Sequence, residues 1–312
     1  MSPAVGVLGG GSFGRGLAHA AARIGREVLL YSRGGEALDV DGVETVRELG
    51  ALASAELIFV AVPSEHVTDI ARAVGAHLDG SHLMVHVSRG LSGDDLTPLT
   101  RVLRNESPVR RVGALAGPLV ADALVEGRPS GAIVGSRFPE VAEAVREAIG
   151  GPTLRIYSTP DTQGVEVGSA MVGLLTLATG LARGLEVGPA SLAVMATRGI
   201  AEAARVGMAL GASERTFWGL AGVGDLTAVM AGDPRPELLL AAALVRGASV
   251  EEACEEAGAH IEGVRLARRV ADYAIRAGQE APIAEAVADV LEGGCAPSDV
   301  MVRLMTRRMK AE

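Results

Sequence analysis

Lysine is almost absent from this sequence of 312 residues, where the only one is Lys310, two positions from the last residue. No lysine earlier in the chain can donate a proton to a substrate, and arginine occupies the other basic positions. Cysteine is scarce as well. Cys254 and Cys295 are too few for the disulfide framework of a small secreted protein, and neither lies in a metal-binding motif. These absences predict a cytoplasmic protein without a metal site.

Excess positive charge and long apolar runs are also missing. The formal net charge is −9 with no basic stripe, which argues against a nucleic-acid partner, because such proteins neutralise phosphates with clustered Lys and Arg. No stretch of about 18 uninterrupted apolar residues occurs, so the sequence predicts no membrane-spanning helix. The opening Met-Ser-Pro-Ala-Val has no basic leader, and we interpret it as the approach to a buried strand rather than a signal peptide.

The first half of the chain alternates short apolar runs with helical stretches. Apolar residues make up 48% of the chain, enough for a large core. Continuous apolar runs are typical of parallel strands buried on both faces. They predict strands at Val5 to Leu8, Val28 to Tyr31, Leu57 to Val62, His82 to Val87, Arg111 to Ala116, Gly131 to Val134 and Leu154 to Ile156. Helices are predicted between them at Leu17 to Ile24, His66 to Leu78 and Asp94 to Leu103. This alternation predicts an α/β fold with a Rossmann-type doubly wound sheet.

The composition changes near Pro160. From Asp161 onward the chain is rich in alanine, leucine and glutamate, which favours helices. The predicted helices are Gly164 to Glu186, Ala190 to Leu210, Glu237 to Arg246, Val250 to Ala257, Glu262 to Ala277 and Pro282 to Leu291. We therefore predict a dinucleotide-binding domain over residues 1–160 and an all-α substrate domain over residues 161–312.

A glycine motif between the first predicted strand and the first predicted helix indicates a dinucleotide site. Gly9, Gly11 and Gly14 match G-x-G-x-x-G. In this position the first glycine allows a tight turn, the second lets a pyrophosphate approach the backbone, and the third lets helix and strand pack closely. The free N–H groups of the helix N-terminus then face the phosphates. The motif predicts binding of NAD(H) or NADP(H).

The end of the second predicted strand bears on the choice between these cofactors. A fold that selects NAD usually has Asp or Glu there to bind the ribose hydroxyls. This chain has Ser32 and Arg33, and a hydroxyl beside a guanidinium suits a 2′-phosphate. Glu36 lies nearby and competes for Arg33. We expect NADP(H) to be preferred, with NAD(H) possible.

Several short motifs are spread over most of the chain. They are Gly9-Gly10-Gly11-Ser12-Phe13-Gly14, Val62-Pro63-Ser64, Ser88-Arg89-Gly90, Ala116-Gly117-Pro118, Glu126-Gly127-Arg128-Pro129, the stretch Phe217 to Leu226, Glu262-Gly263-Val264, Pro282-Ile283 and Glu285-Ala286-Val287. In this order they resemble the motifs of the bacterial NAD(P)-dependent glycerol-3-phosphate dehydrogenase family. Motifs that agree in order indicate fold and ancestry more strongly than they indicate substrate.

The resemblance implies hydride transfer between a nicotinamide and a small phosphorylated or anionic ketone or alcohol, such as dihydroxyacetone phosphate and glycerol 3-phosphate. It implies further cofactor contacts at Ser12, Phe13, Pro63, Arg89, Ala121 and Glu262. Substrate contacts are implied at Arg89, Gly117, Asp225 and Arg235. A homodimer is also expected from the resemblance alone.

The departures from the family fall on its catalytic lysines. The stretch Glu166 to Gly173 resembles a helix motif that bears the family's catalytic lysine, but Val172 and Gly173 stand where lysine and asparagine are expected. A second family lysine is matched by Arg89. Arginine keeps its proton, so Arg89 can stabilise negative charge during catalysis but is a poor acid. The chain is therefore interpreted as a divergent member that lacks the family's catalytic lysine.

Other polar groups are candidates for the missing acid. Ser169 and Thr176 lie three and four residues from the vacated position and share its helix face, so they could relay a proton through water. Asp225, within the family motif, could hold the substrate or orient that water. His86 and His260 can titrate near neutral pH, although a structural role is favoured for both. We include Thr176 and Asp225 with Arg89 as catalytic candidates.

The substrate motif has diverged too. Pro236 and Glu237 stand where the family's Ser-Arg-Asn motif has Arg and Asn, with Arg235 adjacent. Three interpretations remain open. The chain is a reductase of dihydroxyacetone phosphate with a rebuilt acid, a reductase of another carbonyl or an imine, or a non-catalytic protein that binds NADP(H).

Overall fold

The computed structural model describes residues 4–306, so Lys310 and the opening Met-Ser-Pro lie outside the described part of the chain. One sheet contains β1 (Ala4–Leu8), β2 (Val28–Tyr31), β3 (Val43–Val46), β4 (Ala55–Val60), β5 (Leu83–His86), β6 (Arg111–Ala116), β7 (Ser130–Gly135) and β8 (Leu154–Thr159). The strand order is β3-β2-β1-β4-β5-β6-β7-β8. Neighbouring strands are parallel except β6 and β7, which are antiparallel.

Five α-helices flank the sheet: α1 (Ser12–Arg23), α2 (Val67–Gly75), α3 (Leu99–Glu106), α4 (Ala121–Glu126) and α5 (Pro139–Ile149). Short 3₁₀ turns occupy Leu49–Ser54 and Ser64–His66. Alternate residues of the central strands point to opposite faces. Leu57 and Phe59 pack in the cluster that includes α1 and α5, whereas Ile58 and Val60 pack in the cluster that includes α2 and α3. Both faces of the sheet are therefore covered, as continuous apolar strands require.

The rest of the described chain is helical. It contains α6 (Thr162–Gly184), α7 (Pro189–Ala209), α8 (Glu214–Phe217), a π-helical turn (Leu220–Gly224), α9 (Asp225–Met230), α10 (Pro236–Val245), α11 (Val250–Ala257), α12 (Gly263–Arg276), α13 (Pro282–Leu291) and α14 (Pro297–Met305). Among residues 4–306, α6 alone is long and apolar enough to cross a membrane by length and composition. Its apolar window is wholly buried, so α6 is the central helix of this half.

Asp161 fixes the start of α6 beside the end of the sheet. Its Oδ1 accepts a hydrogen bond of 2.9 Å from the backbone N–H of Gly164, as an N-cap residue does. Its Oδ2 accepts hydrogen bonds from the Ser213 backbone at 3.0 Å and the Thr216 hydroxyl at 2.6 Å. One carboxylate thus ties β8, α6 and α8 together, which sets the direction in which α6 leaves the sheet.

The predicted fold class, a Rossmann-type sheet followed by a helical domain, is confirmed. The prediction of a helix from Asp94 was wrong over its first five residues. Leu96 has φ of 51°, and the backbone of Ser92 pairs with that of Thr97, so this segment forms a tight turn before α3. The elements β3, α4, α5, α8, α9 and α14 were not predicted, because they are short or have no continuous apolar run.

Candidate active site

A cleft of about 370 Å³ opens where the carboxyl ends of β1, β4, β5 and β6 face the helical half. Loops that follow these strands form one wall. The opposite wall comes from α6 and from the segments that precede α10 and α12. The predicted site residues that line it are Ser12, Phe13, Pro63, Arg89, Gly117, Ala121, Arg235 and Glu262. Residues from both halves of the chain therefore meet in one cavity.

The glycine loop leaves room for a ligand at one point only. Gly9 has φ of +128°, a left-handed conformation that favours glycine, and a Cβ there would overlap the Ala61 carbonyl. A Cβ on Gly14 would overlap the Gly9 carbonyl. At Gly11, the N-cap of α1, a Cβ would meet no other described atom within 4 Å. The structure thus requires Gly9 and Gly14 for packing, while Gly11 faces open space, which fits a pyrophosphate against the helix N-terminus.

Cationic side chains surround the end of β2. Ser32 is buried against Gly10, where a Cβ would lie 2.5 Å from its hydroxyl. Arg33 is exposed, and it has no ion-pair or hydrogen-bond partner within residues 4–306. Glu36, the predicted competitor, instead pairs with Arg15, with Nη2 and Oε2 3.2 Å apart. Arg33 is therefore free to contact an anion.

Arg47 is a further cation near the loop that follows β2, and the sequence analysis did not identify it. It directly follows β3, and a Cβ on Gly35 would lie 2.8 Å from its guanidinium carbon. Gly35 has φ of +66° and lies between Arg33 and Glu36. Within the described residues Arg47 is exposed and without an ion-pair partner. The short loop after β2 therefore lies beside two unpaired arginines.

Arg89, Asp225 and Arg235 form a continuous ion network behind the cleft wall. Arg89 Nη1 lies 2.9 Å from Asp225 Oδ2, and Arg235 Nη2 donates to Asp225 Oδ1 at 2.8 Å. Arg235 also pairs with Asp233 at 2.9 Å. Asp225 is fully buried and does not line the cleft, whereas the Arg89 side chain is 21% exposed and does. Asp225 therefore positions the two arginines.

The protonation state of Arg89 is fixed by its surroundings. Burial opposes its charge, but the attraction of Asp225, with contributions from Glu237 and Asp233, raises the pKa of Arg89 above its ordinary value. The guanidinium therefore remains charged at every working pH. It can stabilise a negative oxygen in the cleft but cannot release a proton to it.

Glu237 is a polar residue of the cleft to which sequence analysis assigned no role. It lies in the first turn of α10, is 8% exposed, and lines the cleft. Its Oε2 has no hydrogen-bond partner in the described part of the chain. The nearby departure from the family's Ser-Arg-Asn motif was the available signal, but the burial of Glu237 depends on how α10 packs on α6.

The structure separates the candidates on α6. Thr176 is buried and its hydroxyl donates to the Val172 carbonyl at 2.8 Å, so it does not reach the cleft. Val172 itself is packed in the apolar core of the helical half. Ser169 lines the cleft, one turn nearer the sheet. Of the two hydroxyls on this helix that were candidates, only that of Ser169 belongs to a residue that lines the cleft.

Glu262 joins the two walls of the cleft. Its Oε1 accepts a hydrogen bond from the Ser64 backbone N–H at 2.6 Å, and its Oε2 accepts one from the Ser64 hydroxyl at 2.5 Å. His260 Nε2 lies 3.6 Å from Oε1. Burial alone would raise the pKa of Glu262, but the interactions with His260 and Ser64 outweigh it and hold this pKa below its ordinary value. Glu262 is thus a carboxylate that anchors α12 to the loop after β4.

The two histidine candidates lie in different surroundings. His86 is buried, and its Nε2 is 2.8 Å from Oε1 of Glu166, which also accepts hydrogen bonds from the Thr100 backbone and hydroxyl. This network joins β5, α3 and α6 away from the cleft lining. His260 lines the cleft, and the interaction with Glu262 raises its pKa although partial burial opposes the rise. Among residues 4–306 no group of His, Cys, Asp and Glu side chains is arranged to hold a metal ion.

A mostly parallel sheet with a glycine loop at its carboxyl edge, facing a helical half across a cleft, is typical of the dinucleotide-binding class of oxidoreductases. Two family models match the chain. The model described as NAD-dependent glycerol-3-phosphate dehydrogenase N-terminus matches residues 40–142, and the C-terminus model of the same name matches residues 161–302. The chain therefore belongs to the NAD(P)-dependent glycerol-3-phosphate dehydrogenase family.

Individual relatives agree with this assignment. The glycerol-3-phosphate dehydrogenase [NAD(P)+] of Desulfitobacterium hafniense is 34% identical over 325 residues, which cover 99% of this chain and 92% of that protein. The protein of the same name from Paracidovorax citrulli is 43% identical over 206 residues, 66% of this chain and 60% of that one. The crystal structure of glycerol-3-phosphate dehydrogenase from Coxiella burnetii has a TM-score of 0.91 at 24% identity. It covers 98% of this chain and 99% of that one, and it shows the shared fold.

Proposed function

We propose that this protein is an NAD(P)H-dependent oxidoreductase that acts on a CH–OH group and interconverts a small ketone and alcohol, such as dihydroxyacetone phosphate and glycerol 3-phosphate. The observation that supports this most directly is the shared cleft. Ser12 and Phe13 of the glycine motif line the same cavity as Arg89 and Arg235. The family to which the chain belongs supports the same function. A cofactor on the loop and an anionic substrate near the arginines would then be neighbours.

The residues of the cleft have different roles in the proposed reaction. The bound nicotinamide supplies the hydride. Arg89 stabilises the negative charge that develops on the carbonyl oxygen, and Asp225 holds its guanidinium in place. Because Arg89 keeps its proton, Ser169 orients a water molecule that passes a proton to this oxygen from solvent. Thr176 has no part in this scheme, since its hydroxyl is bound to its own helix backbone.

We infer a preference for NADP(H) over NAD(H) from the unpaired cations near β2. Arg33 and Arg47 are both exposed, and neither pairs with an acid within the described residues. Ser32 lies beside Gly10 at the same end. Two guanidinium groups and a hydroxyl suit a 2′-phosphate, while the one nearby acid, Glu36, is held by Arg15. Gly9, Gly11 and Gly14, with Pro63, Ala121 and Glu262 from the cleft lining, complete the proposed cofactor groove.

We also propose that the chain is organised as a cofactor domain followed by a substrate domain. Residues 1–160 form the cofactor domain and residues 161–312 the substrate domain, with Gly117, Asp225 and Arg235 at their junction on the substrate side. We propose a cytoplasmic homodimer that acts on a small molecule, with no nucleic-acid or membrane partner.

The test is the oxidation of NADPH, followed by its absorbance, with dihydroxyacetone phosphate and with a control that lacks substrate. Turnover at a rate typical of enzymes, about 1 to 1,000 per second, supports the proposal. Folded protein that binds NADPH but turns over no ketone would contradict it and leave the binding role as the alternative.

One observation favours a second candidate, a reductase of another carbonyl or an imine. Val172 is buried in the apolar core. The described residues contain no lysine that could replace the catalytic lysine expected at this position. An iminium already carries its proton, so hydride addition produces a neutral amine without an acid. The same absorbance experiment with a cyclic imine in place of the ketone distinguishes the two candidates.

A further inference from the structure

Glu237 presents an unsatisfied carboxylate to the cleft. The residue is 8% exposed, and its Oε2 has no hydrogen-bond partner among residues 4–306. A buried polar group without a partner lowers the stability of the folded state, and a charged one lowers it more. Such a group in a native structure calls for an explanation, and a partner supplied by a ligand or a water molecule is one. Asp225 Oδ2 also makes no hydrogen bond, but it lies 2.9 Å from Arg89 Nη1 in an ion pair, whereas Glu237 has no ion pair among these residues.

The neighbouring helix leaves space in front of this carboxylate. A Cβ built on Gly173 of α6 would lie 3.9 Å from Oε1 of Glu237, and Gly173 has no side chain to occupy the gap. Ser169, one turn earlier on α6, lines the same cleft. No protein side chain therefore fills the space between Gly173 and Glu237, and Glu237 and Ser169 line the same cleft.

The charges around Glu237 determine what kind of group fits. The cations of this part of the cleft, Arg89 and Arg235, pair with Asp225 and Asp233. Glu237 forms no ion pair within residues 4–306, although its charge contributes to the raised pKa of Arg89. A second anion placed against Glu237 would be repelled, whereas an O–H or N–H donor would complete its hydrogen bonds.

We propose that Glu237 accepts a hydrogen bond from an O–H or N–H group next to the carbonyl of the substrate, and so selects ketones that carry such a donor. This rests on the proposed reductase function and specifies its substrate class. A ketone with a free hydroxyl or amine on the carbon beside the carbonyl is preferred, and a ketone with a methyl or an anionic group at that place is rejected.

The test compares two ketones that differ by one hydroxyl, dihydroxyacetone phosphate and hydroxyacetone phosphate. A hydrogen bond to a charged group contributes about 10- to 100-fold in kcat/KM, so the wild-type protein should prefer the first ketone by about this factor. In Glu237→Leu the preference should fall to about onefold. A cooperative urea unfolding transition of Glu237→Leu shows that the variant is folded. An unchanged preference in Glu237→Leu would overturn the proposal.

A second comparison, between Glu237→Gln and the wild-type protein, identifies whether the bound donor is a hydroxyl or an amine. Glu237→Gln keeps an oxygen that can accept from a hydroxyl, but it loses the charge that attracts an ammonium group. If the natural donor is a hydroxyl, the variant should keep much of its preference for dihydroxyacetone phosphate. If the donor is an amine, the wild-type protein should prefer aminoacetone over hydroxyacetone and Glu237→Gln should lose this preference. Glu140→Leu, an exposed glutamate of α5, is the matched control and should leave all ratios unchanged.

A binding measurement separates failure of this proposal from failure of the reductase function. Calorimetry in the presence of NADP⁺ compares glycerol 3-phosphate with propane-1,2-diol 1-phosphate, which lacks the terminal hydroxyl. If no ketone is reduced, the reductase function fails, yet tighter binding of glycerol 3-phosphate that disappears in Glu237→Leu still supports the role of Glu237. Equal binding of the two ligands, or binding of neither, overturns it.

Discussion

Arg89 and Asp225 lie 136 positions apart in the chain and form an ion pair, with Nη1 2.9 Å from Oδ2 and Nη2 3.3 Å from Oδ1. Arg89 follows β5, and Asp225 begins α9 directly after the π-helical turn. The pair therefore joins the carboxyl edge of the sheet to the helical half across the cleft. Since Asp225 is fully buried, the orientation of Arg89 depends on the correct packing of both halves.

We expect Arg89→Ala to lower kcat with NADPH and dihydroxyacetone phosphate by roughly 100- to 1,000-fold, because the carbonyl oxygen loses its charged partner. Steady-state kinetics measure this loss. Arg89→Lys should recover part of the rate, since an ammonium group can both stabilise charge and donate a proton. Arg101→Ala, which removes an exposed arginine of α3, is the control. Wild-type turnover by Arg89→Ala would exclude a role for Arg89 at the reacting oxygen.

Substitutions at Gly11 and Gly14 should have opposite consequences. A Cβ at Gly11 meets no described atom within 4 Å, and its φ of −70° suits alanine, so Gly11→Ala should keep its free energy of unfolding within about 1 kcal/mol. The new methyl group would occupy the space for the pyrophosphate, and we expect NADPH affinity to fall at least tenfold. Gly14→Ala should instead unfold at lower denaturant, because its Cβ would overlap the Gly9 carbonyl. Denaturant unfolding and fluorescence titration with NADPH separate the two effects, and normal NADPH binding by Gly11→Ala would contradict this interpretation.

The sequence predicts the sheet and the cofactor loop better than it predicts the substrate side of the cleft. Continuous apolar strands and G-x-G-x-x-G are local patterns, and the structure contains both. Thr176 was selected from helix periodicity alone, which does not show that its hydroxyl bonds to the backbone of its own buried helix. Glu237 acquires its burial from the packing of α10 on α6. Arg47 follows an edge strand without an apolar run, so no pattern placed it near Gly35.

Cofactor choice should depend on Arg33 and Arg47. We expect Arg33→Ala and Arg47→Ala each to raise KM for NADPH roughly tenfold, since each removes a charged hydrogen bond to the 2′-phosphate. KM for NADH should stay unchanged, because NADH has no 2′-phosphate, and this serves as the internal control. Steady-state kinetics with both cofactors measure the ratio. An equal rise in KM for NADPH and NADH would mean that these arginines do not recognise the 2′-phosphate.

Stability should fall as the pH rises through the range in which Glu202 ionises. Glu202 is buried, and it accepts hydrogen bonds from the N–H groups of Ile283 at 2.9 Å and Ala284 at 2.8 Å at the start of α13. Burial raises the pKa of Glu202 from 4.5 to about 7, although these donors oppose the rise. The folded state thus binds this proton more tightly than the unfolded state. The contribution is fully present below a pH of about 4.5 and is lost as the pH rises through about 7.

Glu202→Gln removes this ionisation while keeping an oxygen that can accept a hydrogen bond at the start of α13. Between about pH 5.5 and about pH 8, we expect the wild-type protein to lose about 2 kcal/mol more of its free energy of unfolding than Glu202→Gln loses. Urea unfolding at the two pH values measures the difference, and Glu140→Gln controls for a change of surface charge. Parallel pH profiles for wild type and Glu202→Gln would show that Glu202 ionises normally in the folded protein. Its hydrogen bonds to α13 would then offset the whole cost of burying its charge.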